Sequence, residues 1–308
     1  MKTEDAVIVT GSTGFLGSAL TRELLRRGKR VISIGRKERG FLSDEVFNSQ
    51  YHTLINFDLT EDIGDILSDY TIKTIFHLAA AGQVSNIRHD AFYEGNVKTT
   101  SNLLEYARLA HVPHFIYTST HSVFGEKPNT KYLVEDDVPT PTHYYGLTKY
   151  FAELLIKIEL RDSDTKGTVI RFPALYGHDH LGGIVYTFYQ CASEGQPIEV
   201  YGRGEKFRNV LYVDDAVDIL IRSMEAEKRL QQYETFFAGS QNSLPAGEIA
   251  MYIKKYIHSQ SEIVLSSITP TVDFDVYVDI TKAKEQLGFQ PMTIEEGLKK
   301  YLEEMIAV

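Results

Sequence analysis

The segment AVIVTGSTGFLGSALTRELLRRGKRVISIGRK, residues 6–37, constrains the fold more than any other. Residues 6–10 form a short apolar run suited to a buried parallel strand. Gly11, Gly14 and Gly17 follow at three-residue spacing, and a helix is expected over 18–27, with Gly28 as its C-cap. A second apolar run at 31–34 closes a strand–turn–helix–strand unit. Glycines at such a turn let backbone approach a pyrophosphate, which the amide groups and dipole of the helix N-terminus attract. Thr13, Phe15 and Leu16 sit in the same turn and are expected to share that contact.

The end of the second strand should meet the adenosine ribose of a dinucleotide. A carboxylate there suits the 2′-hydroxyl of NAD, and an arginine suits the 2′-phosphate of NADP. This strand runs out into Gly35, Arg36 and Lys37, so NADP(H) is favoured and NAD(H) is the alternative. A pair of solvated loop cations is the competing reading. Three further strand-like runs follow. YHTLINFDL ends in Asp58 and Leu59, with Asp58 placed for the adenine. IKTIFHLAAAG ends in Leu78, Ala79 and Ala80, small enough for a cofactor to pass closely. HFIYTSTHSVFG ends in Thr118, Ser119 and Thr120. His77, inside the second of these runs, reads as a packed core histidine. Alternation of strands and helices predicts an α/β fold with a doubly wound parallel sheet, and ligands bind such sheets at the carboxyl ends of the strands.

In THYYGLTKYFAELLIK, residues 142–157, a helix is expected after Gly146, with Leu147, Ala152, Leu154, Leu155 and Ile158 on its apolar face. Tyr145 and Lys149 stand four apart, one above the other on a helix; Tyr144 is one position off that line. A free phenol titrates near 10, and a neighbouring ammonium favours the phenolate. The pair is therefore either a tuned proton donor and acceptor or a core tyrosine with a snorkelling lysine.

Composition narrows the partners. The 308 residues carry a net charge of -10, so there is no basic footprint for nucleic acid, and an anionic ligand needs local cations. The opening MKTEDAVIVTG has acids where a signal peptide needs an apolar stretch, and no run approaches the length of a membrane span. A cytoplasmic chain with no membrane partner is expected. The single cysteine, Cys191, reads as a small buried hydrophobe. His178, Asp179 and His180 lack ordered ligand spacing and read as a substrate-side loop; no metal site is expected.

The segments TGSTGFLG, FDL, FHLAA, YTSTHSVFG, YYGLTK and VIRFPALYG resemble, in their order, the extended short-chain dehydrogenases of the NAD-dependent epimerase/dehydratase family. VYGRGEKFRNVLYVDDAV, YETFFAGSQNSLPAGEIA and DITKAKEQLGFQP extend the resemblance over nearly the whole chain. It implies a Rossmann domain over 1–170 and a smaller C-terminal α/β substrate domain over 171–308, with a segment near 234–240 returning to the Rossmann sheet. It implies that Tyr145 and Lys149 are a catalytic pair, with Thr120 as the third catalytic group. Phe172 and Pro173 would lie near the nicotinamide. Arg208, assisted by Arg203, would hold a substrate diphosphate, and His121 would face the substrate. His121 and Ser122 follow Thr120 where the 4,6-dehydratases carry an acid pair, so dehydration is not expected. The implied reaction is reduction of a 4-keto group on a nucleotide-linked sugar, with Tyr145 as proton donor. The alternatives are a nucleotide-sugar 4-epimerase with tightly bound NAD, a reductase of a non-sugar ketone or aldehyde, and a non-catalytic NADP-sensing protein. Ala174, which replaces an asparagine common in sugar-nucleotide enzymes, keeps the reductase of a non-sugar ketone or aldehyde alive. Relatives of this kind form homodimers through helices near 96–110 and 147–160.

Overall fold

The structure is a computed structural model that describes residues 4–36, 39–64, 66–82, 88–125, 132–268 and 274–307. The chain forms two compact units. The first takes Met1–Gly125, Val138–Arg171 and Val217–Phe236; the second takes Glu126–Asp137, Phe172–Ala216 and Phe237–Val308.

A seven-stranded sheet organises the first unit. Its strands are β1 (Glu4–Thr10), β2 (Val31–Gly35), β3 (His52–Asn56), β4 (Tyr70–His77), β5 (His114–Thr120), β6 (Lys166–Phe172) and β7 (Tyr233–Phe237), in the spatial order β7-β6-β5-β4-β1-β2-β3. The β1–β2, β1–β4, β2–β3 and β4–β5 pairs are parallel. Strand order therefore reverses beside β1, which is where open α/β sheets leave a crevice for ligand. Near-continuous apolar runs explain the burial: Ile8, Ile32, Ile75 and Phe115 are fully enclosed because helices cover both faces. Among those helices are α1 (Phe15–Arg26), α2 (Thr99–Leu109) and α3 (Tyr144–Glu159).

Two local expectations change. Helix α1 begins at Phe15, three residues before the expected start, because the extended backbone of Gly14 already serves as its N-cap. At its other end Gly28 is left-handed (φ 71°), its N–H bonding to the Leu25 carbonyl and that of Lys29 to Leu24. In α3 the expected apolar face divides. Ala152 and Ile156 are buried, but Leu147, Leu154 and Ile158 are exposed together with Tyr144 and Phe151. Polar residues, Thr148, Lys149 and Glu153, occupy the buried side instead.

The second unit pairs Ala174–Tyr176 with Val210–Tyr212, Ile198–Val200 with Ile263–Leu265, and Phe207–Arg208 with Leu244–Pro245. Helices Gly183–Ser193, Ala246–Tyr256 and Ile294–Ala307 belong to it. Tyr176 packs against Tyr212 and, edge-on, against Tyr301, with ring centroids 5.5 and 5.7 Å apart. Cys191 is half-buried rather than buried, because its helix is amphipathic and carries it at the border of the apolar face. Among the described residues no helix is long and apolar enough to cross a membrane, and no group of three metal-ligating side chains comes together.

Candidate active site

Parallel strands end on the same side, and the residues singled out in the sequence follow those ends: Gly11–Gly17 after β1, Arg36 after β2, Asp58 and Leu59 after β3, Leu78–Ala80 after β4, Thr120 and His121 at β5, Phe172 and Pro173 at β6. Lys37 lies outside the described residues.

The turn after β1 is a cradle from which side chains are excluded. Gly11 is left-handed (φ 67°), and a Cβ there would lie 2.8 Å from the Ala79 nitrogen. A Cβ on Gly17 would run into the Gly11 carbonyl and lie 2.7 Å from Ser12 Cα. Gly14, Phe15 and Leu16 open α1, whose first turn holds no acid to compete with an anion. Thr13 is buried, and its carbonyl accepts from Phe41 N at 3.0 Å. Thr10 Oγ1 accepts from the amides of Leu78 (3.2 Å) and Ala79 (3.1 Å), so the ends of β1 and β4 are stitched together. His77 completes the stitch: its ring bonds Thr10 (2.8 Å) and Thr100 (3.0 Å), and burial holds it down to about 3, a neutral core histidine. The Ser12 hydroxyl is buried without a hydrogen-bond partner among the described residues. An orphaned hydroxyl beside a Cβ-free turn and a helix N-terminus fits a dinucleotide pyrophosphate.

Beyond the end of β2, Arg36 is exposed, and its guanidinium stands 4.0 Å from the Asp58 carboxylate. Asp58 accepts from Thr60 N and Oγ1, both at 2.9 Å, which holds its carboxyl below the usual range. Leu59 turns into the core.

Thr120 ends β5, and its Oγ1 accepts from Ser122 N (3.1 Å) at the start of the 3-10 turn His121–Val123. Gly146, in the first turn of α3, rests on the Ser122 carbonyl, where a larger residue could not fit. That contact brings the β5 end to the helix end bearing Tyr145 and Lys149. Tyr145 is half-buried, with Phe92 and His143 beside its ring at 6.5 and 6.3 Å. Tyr144 is exposed and stacks on His89. Lys149 is 2 % exposed, and its ammonium lies over the Tyr117 ring, 4.1 Å from the centroid.

The electrostatics differ from the simple sequence argument. Burial pushes Tyr145 up to about 12 and Lys149 down to about 7, each toward its neutral form. Desolvation thus outweighs the expected lowering of the phenol by the ammonium, because the Lys149 charge is turned toward the Tyr117 ring.

Three residues that the sequence reading passed over belong to this region. Asn96 lies in a π-helical turn, Tyr93–Lys98, and bridges Ala81 N (2.7 Å) to Thr148 Oγ1 (3.0 Å). Glu153 and Arg171 form a buried ion pair at 2.7 Å. Only the four-residue steps from Tyr145 to Lys149 to Glu153 hinted at the carboxylate. The arginines Arg203 and Arg208 lie in the second unit. Arg203 occupies a left-handed position (φ 58°) in the turn Gly202–Gly204. One guanidinium nitrogen of Arg208 donates to the carbonyls of Phe207 (2.9 Å) and Phe274 (2.8 Å).

A doubly wound sheet with a glycine-lined dinucleotide cradle at its switch point defines the class: a nicotinamide-dependent enzyme of the extended short-chain dehydrogenase type. The model of the NAD dependent epimerase/dehydratase family matches residues 7–239, and the chain belongs to that family. A UDP-glucuronate 4-epimerase from Thermodesulfobacterium geofontis is 27% identical over 308 residues, covering 95% of this chain and 94% of its own. A dTDP-4-dehydro-6-deoxyglucose reductase from Escherichia coli is 25% identical over 316 residues, with 97% of each chain covered. Among solved structures, MoeE5 in complex with UDP-glucose and NAD superimposes with a TM-score of 0.85 at 26% identity, covering 98% of this chain and 99% of that one.

Proposed function

We propose that this chain reduces the 4-keto group of a nucleotide-linked sugar, with Tyr145 as proton donor. The observation that carries the reading is the Tyr145–Lys149 face of α3, with Tyr145 half-buried and Lys149 buried, brought to the Thr120 end of β5 by the Gly146–Ser122 contact. A bound nicotinamide supplies the hydride. Tyr145 is protonated near neutrality and gives its proton to the reacting oxygen. Thr120 hydrogen-bonds that oxygen, and Lys149 in its charged form stabilises the phenolate left behind. Phe172 and Pro173 border the nicotinamide. Arg208 and Arg203 take the diphosphate, and His121 faces the sugar. The likeness to a UDP-glucuronate 4-epimerase and to a structure holding NAD favours a second reading, a 4-epimerase that keeps its cofactor. Ala174 sustains the third, a reductase of a non-sugar ketone or aldehyde.

For the cofactor, Arg36 supports NADP(H), with NAD(H) the alternative. The test is to denature the purified protein and identify any nucleotide released. An empty site that then binds NADPH ahead of NADH supports the reductase. In that case Arg36→Ala is expected to weaken NADPH binding about tenfold or more and leave NADH unchanged, since a charged hydrogen bond is lost. Stoichiometric NAD(H) in the denatured protein sinks the NADP reading and favours the epimerase.

The assembly we propose is a homodimer. Tyr144, Leu147, Phe151, Leu154 and Ile158 recur at alternating steps of three and four on α3, and all are exposed. Such a stripe on a helix suits packing against another helix. Phe151→Glu is expected to convert a dimer into a monomer by light scattering; a dimer that persists removes this helix from the interface.

A further inference from the structure

Glu153 is 1 % exposed. Arg171, near the end of β6, holds it through two nitrogens, Nε to Oε1 at 3.2 Å and Nη2 to Oε2 at 2.7 Å. Ser119 Oγ donates to the same Oε1. Ser119 immediately precedes Thr120, and Glu153 stands one helical turn beyond Lys149, on the same face. The Arg171 guanidinium is in turn seated over the Phe124 ring, 5.1 Å from its centroid.

An ion pair this deeply buried is weak evidence for stability, because desolving both charges offsets much of their attraction. Two apolar residues would fill the same space, so a role beyond packing is the natural place to look. We propose that Glu153 is a positioning residue of this site: pinned by Arg171 and Ser119, it supplies the counter-charge for Lys149 and fixes the strand end that carries Thr120. The inference rests on the reading of Thr120, Tyr145 and Lys149 given above.

The other groups facing Lys149 cannot take over that task. The Tyr117 ring of β5 attracts the ammonium through its face but carries no charge, and burial keeps its phenol protonated. His77 of β4 is neutral, and Lys149 itself helps keep it so. Tyr145, on the same helix, is held protonated by burial. Against these, burial drives the Lys149 ammonium down, the Glu153 carboxylate holds it part of the way back, and the balance lies at about 7. Facing Glu153 in turn are Arg171 and the phenol of Tyr233, from β7. The enclosed set thus holds two cations, Lys149 and Arg171, against one carboxylate, and the remaining positive charge is available to a phenolate at Tyr145.

The test is an NMR titration of the protein labelled at the lysine ε-carbons, with the Lys149 resonance assigned by its loss in Lys149→Arg. It needs no substrate. Glu153→Gln is isosteric but leaves Arg171 unpaired, so Glu153→Gln combined with Arg171→Met is measured beside it and keeps the fold by removing both buried charges. Lys149 is expected to titrate about one pH unit or more below wild type in Glu153→Gln, the size of a charge interaction at helix spacing in a partly screened interior, and still below wild type, though by less, in the double variant, where the repulsion of Arg171 is lost as well. A Lys149 titration unchanged in both folded variants overturns the proposal and leaves Glu153 as a structural ion pair. Should the shift appear while Tyr145→Phe keeps full turnover, the functional reading fails and the coupling between Glu153 and Lys149 stands.

Discussion

Replacing Tyr145 by phenylalanine is expected to lower turnover by about 10²–10⁴-fold, the usual contribution of a positioned proton donor, with folding and nucleotide binding preserved. The hydroxyl is the only part lost; the ring keeps its place between Phe92 and His143. The pH dependence follows from the desolvation of both groups. Tyr145 stays protonated to about 12, so the donor is present throughout the neutral range. Lys149 is charged below about 7 and loses its proton above it, and with it the charge that stabilises the departing phenolate. In the reducing direction the rate is therefore expected to be highest at acid to neutral pH and to fall as pH rises through the Lys149 titration. The measurement is kcat for a 4-keto nucleotide sugar with NADPH, for both proteins, across that range. A phenylalanine variant as fast as wild type would remove Tyr145 from the chemistry.

Gly17→Ala is expected to cost about 1–3 kcal/mol of stability, as overpacking a tight site does, and to weaken nucleotide binding by two orders of magnitude or more. The new methyl would collide with the Gly11 carbonyl and crowd Ser12 Cα, both backbone, so no side-chain rotation relieves it. Relief requires the turn to open, which moves the amides of the α1 N-terminus away from the pyrophosphate. Gly35→Ala is the control for folding: an added Cβ there meets no protein atom within 4 Å, and stability should be unaffected. Thermal unfolding and NADPH fluorescence titration read the two effects. Unimpaired nucleotide binding by a folded Gly17→Ala protein would show that the turn is not the cradle.

The pattern of legibility has a physical basis. Gly11, Gly14 and Gly17 announced a nucleotide turn because the demands on them are local: a positive φ at Gly11, and a strand and helix too close at Gly17 to admit a side chain. Tyr145 and Lys149 could be paired on paper because helical geometry alone sets residues four apart on one face. The doubly wound sheet followed from apolar runs alternating with helical segments, whose period is a property of neighbouring residues.

What depends on distant residues was not legible. No local rule pairs Glu153 with Arg171, which is 18 residues away on a strand, or sets Ser119 against them. The π-helical turn that carries Asn96 to Ala81 and Thr148 has no signature in its own six residues. The apolar residues of α3 pointed to a core-facing side, but the sheet took the opposite side, with Lys149 and Glu153, and left Leu147, Phe151 and Ile158 outside. The direction of the Tyr145 and Lys149 shifts was likewise set by enclosure, since desolvation acts on a charge from every side. Sequence by itself determined the sheet, the nucleotide turn and the family, because these rest on short-range periodicity and steric rules. Tertiary structure alone decided which groups share a dry interior, and therefore where the charges of the site reside.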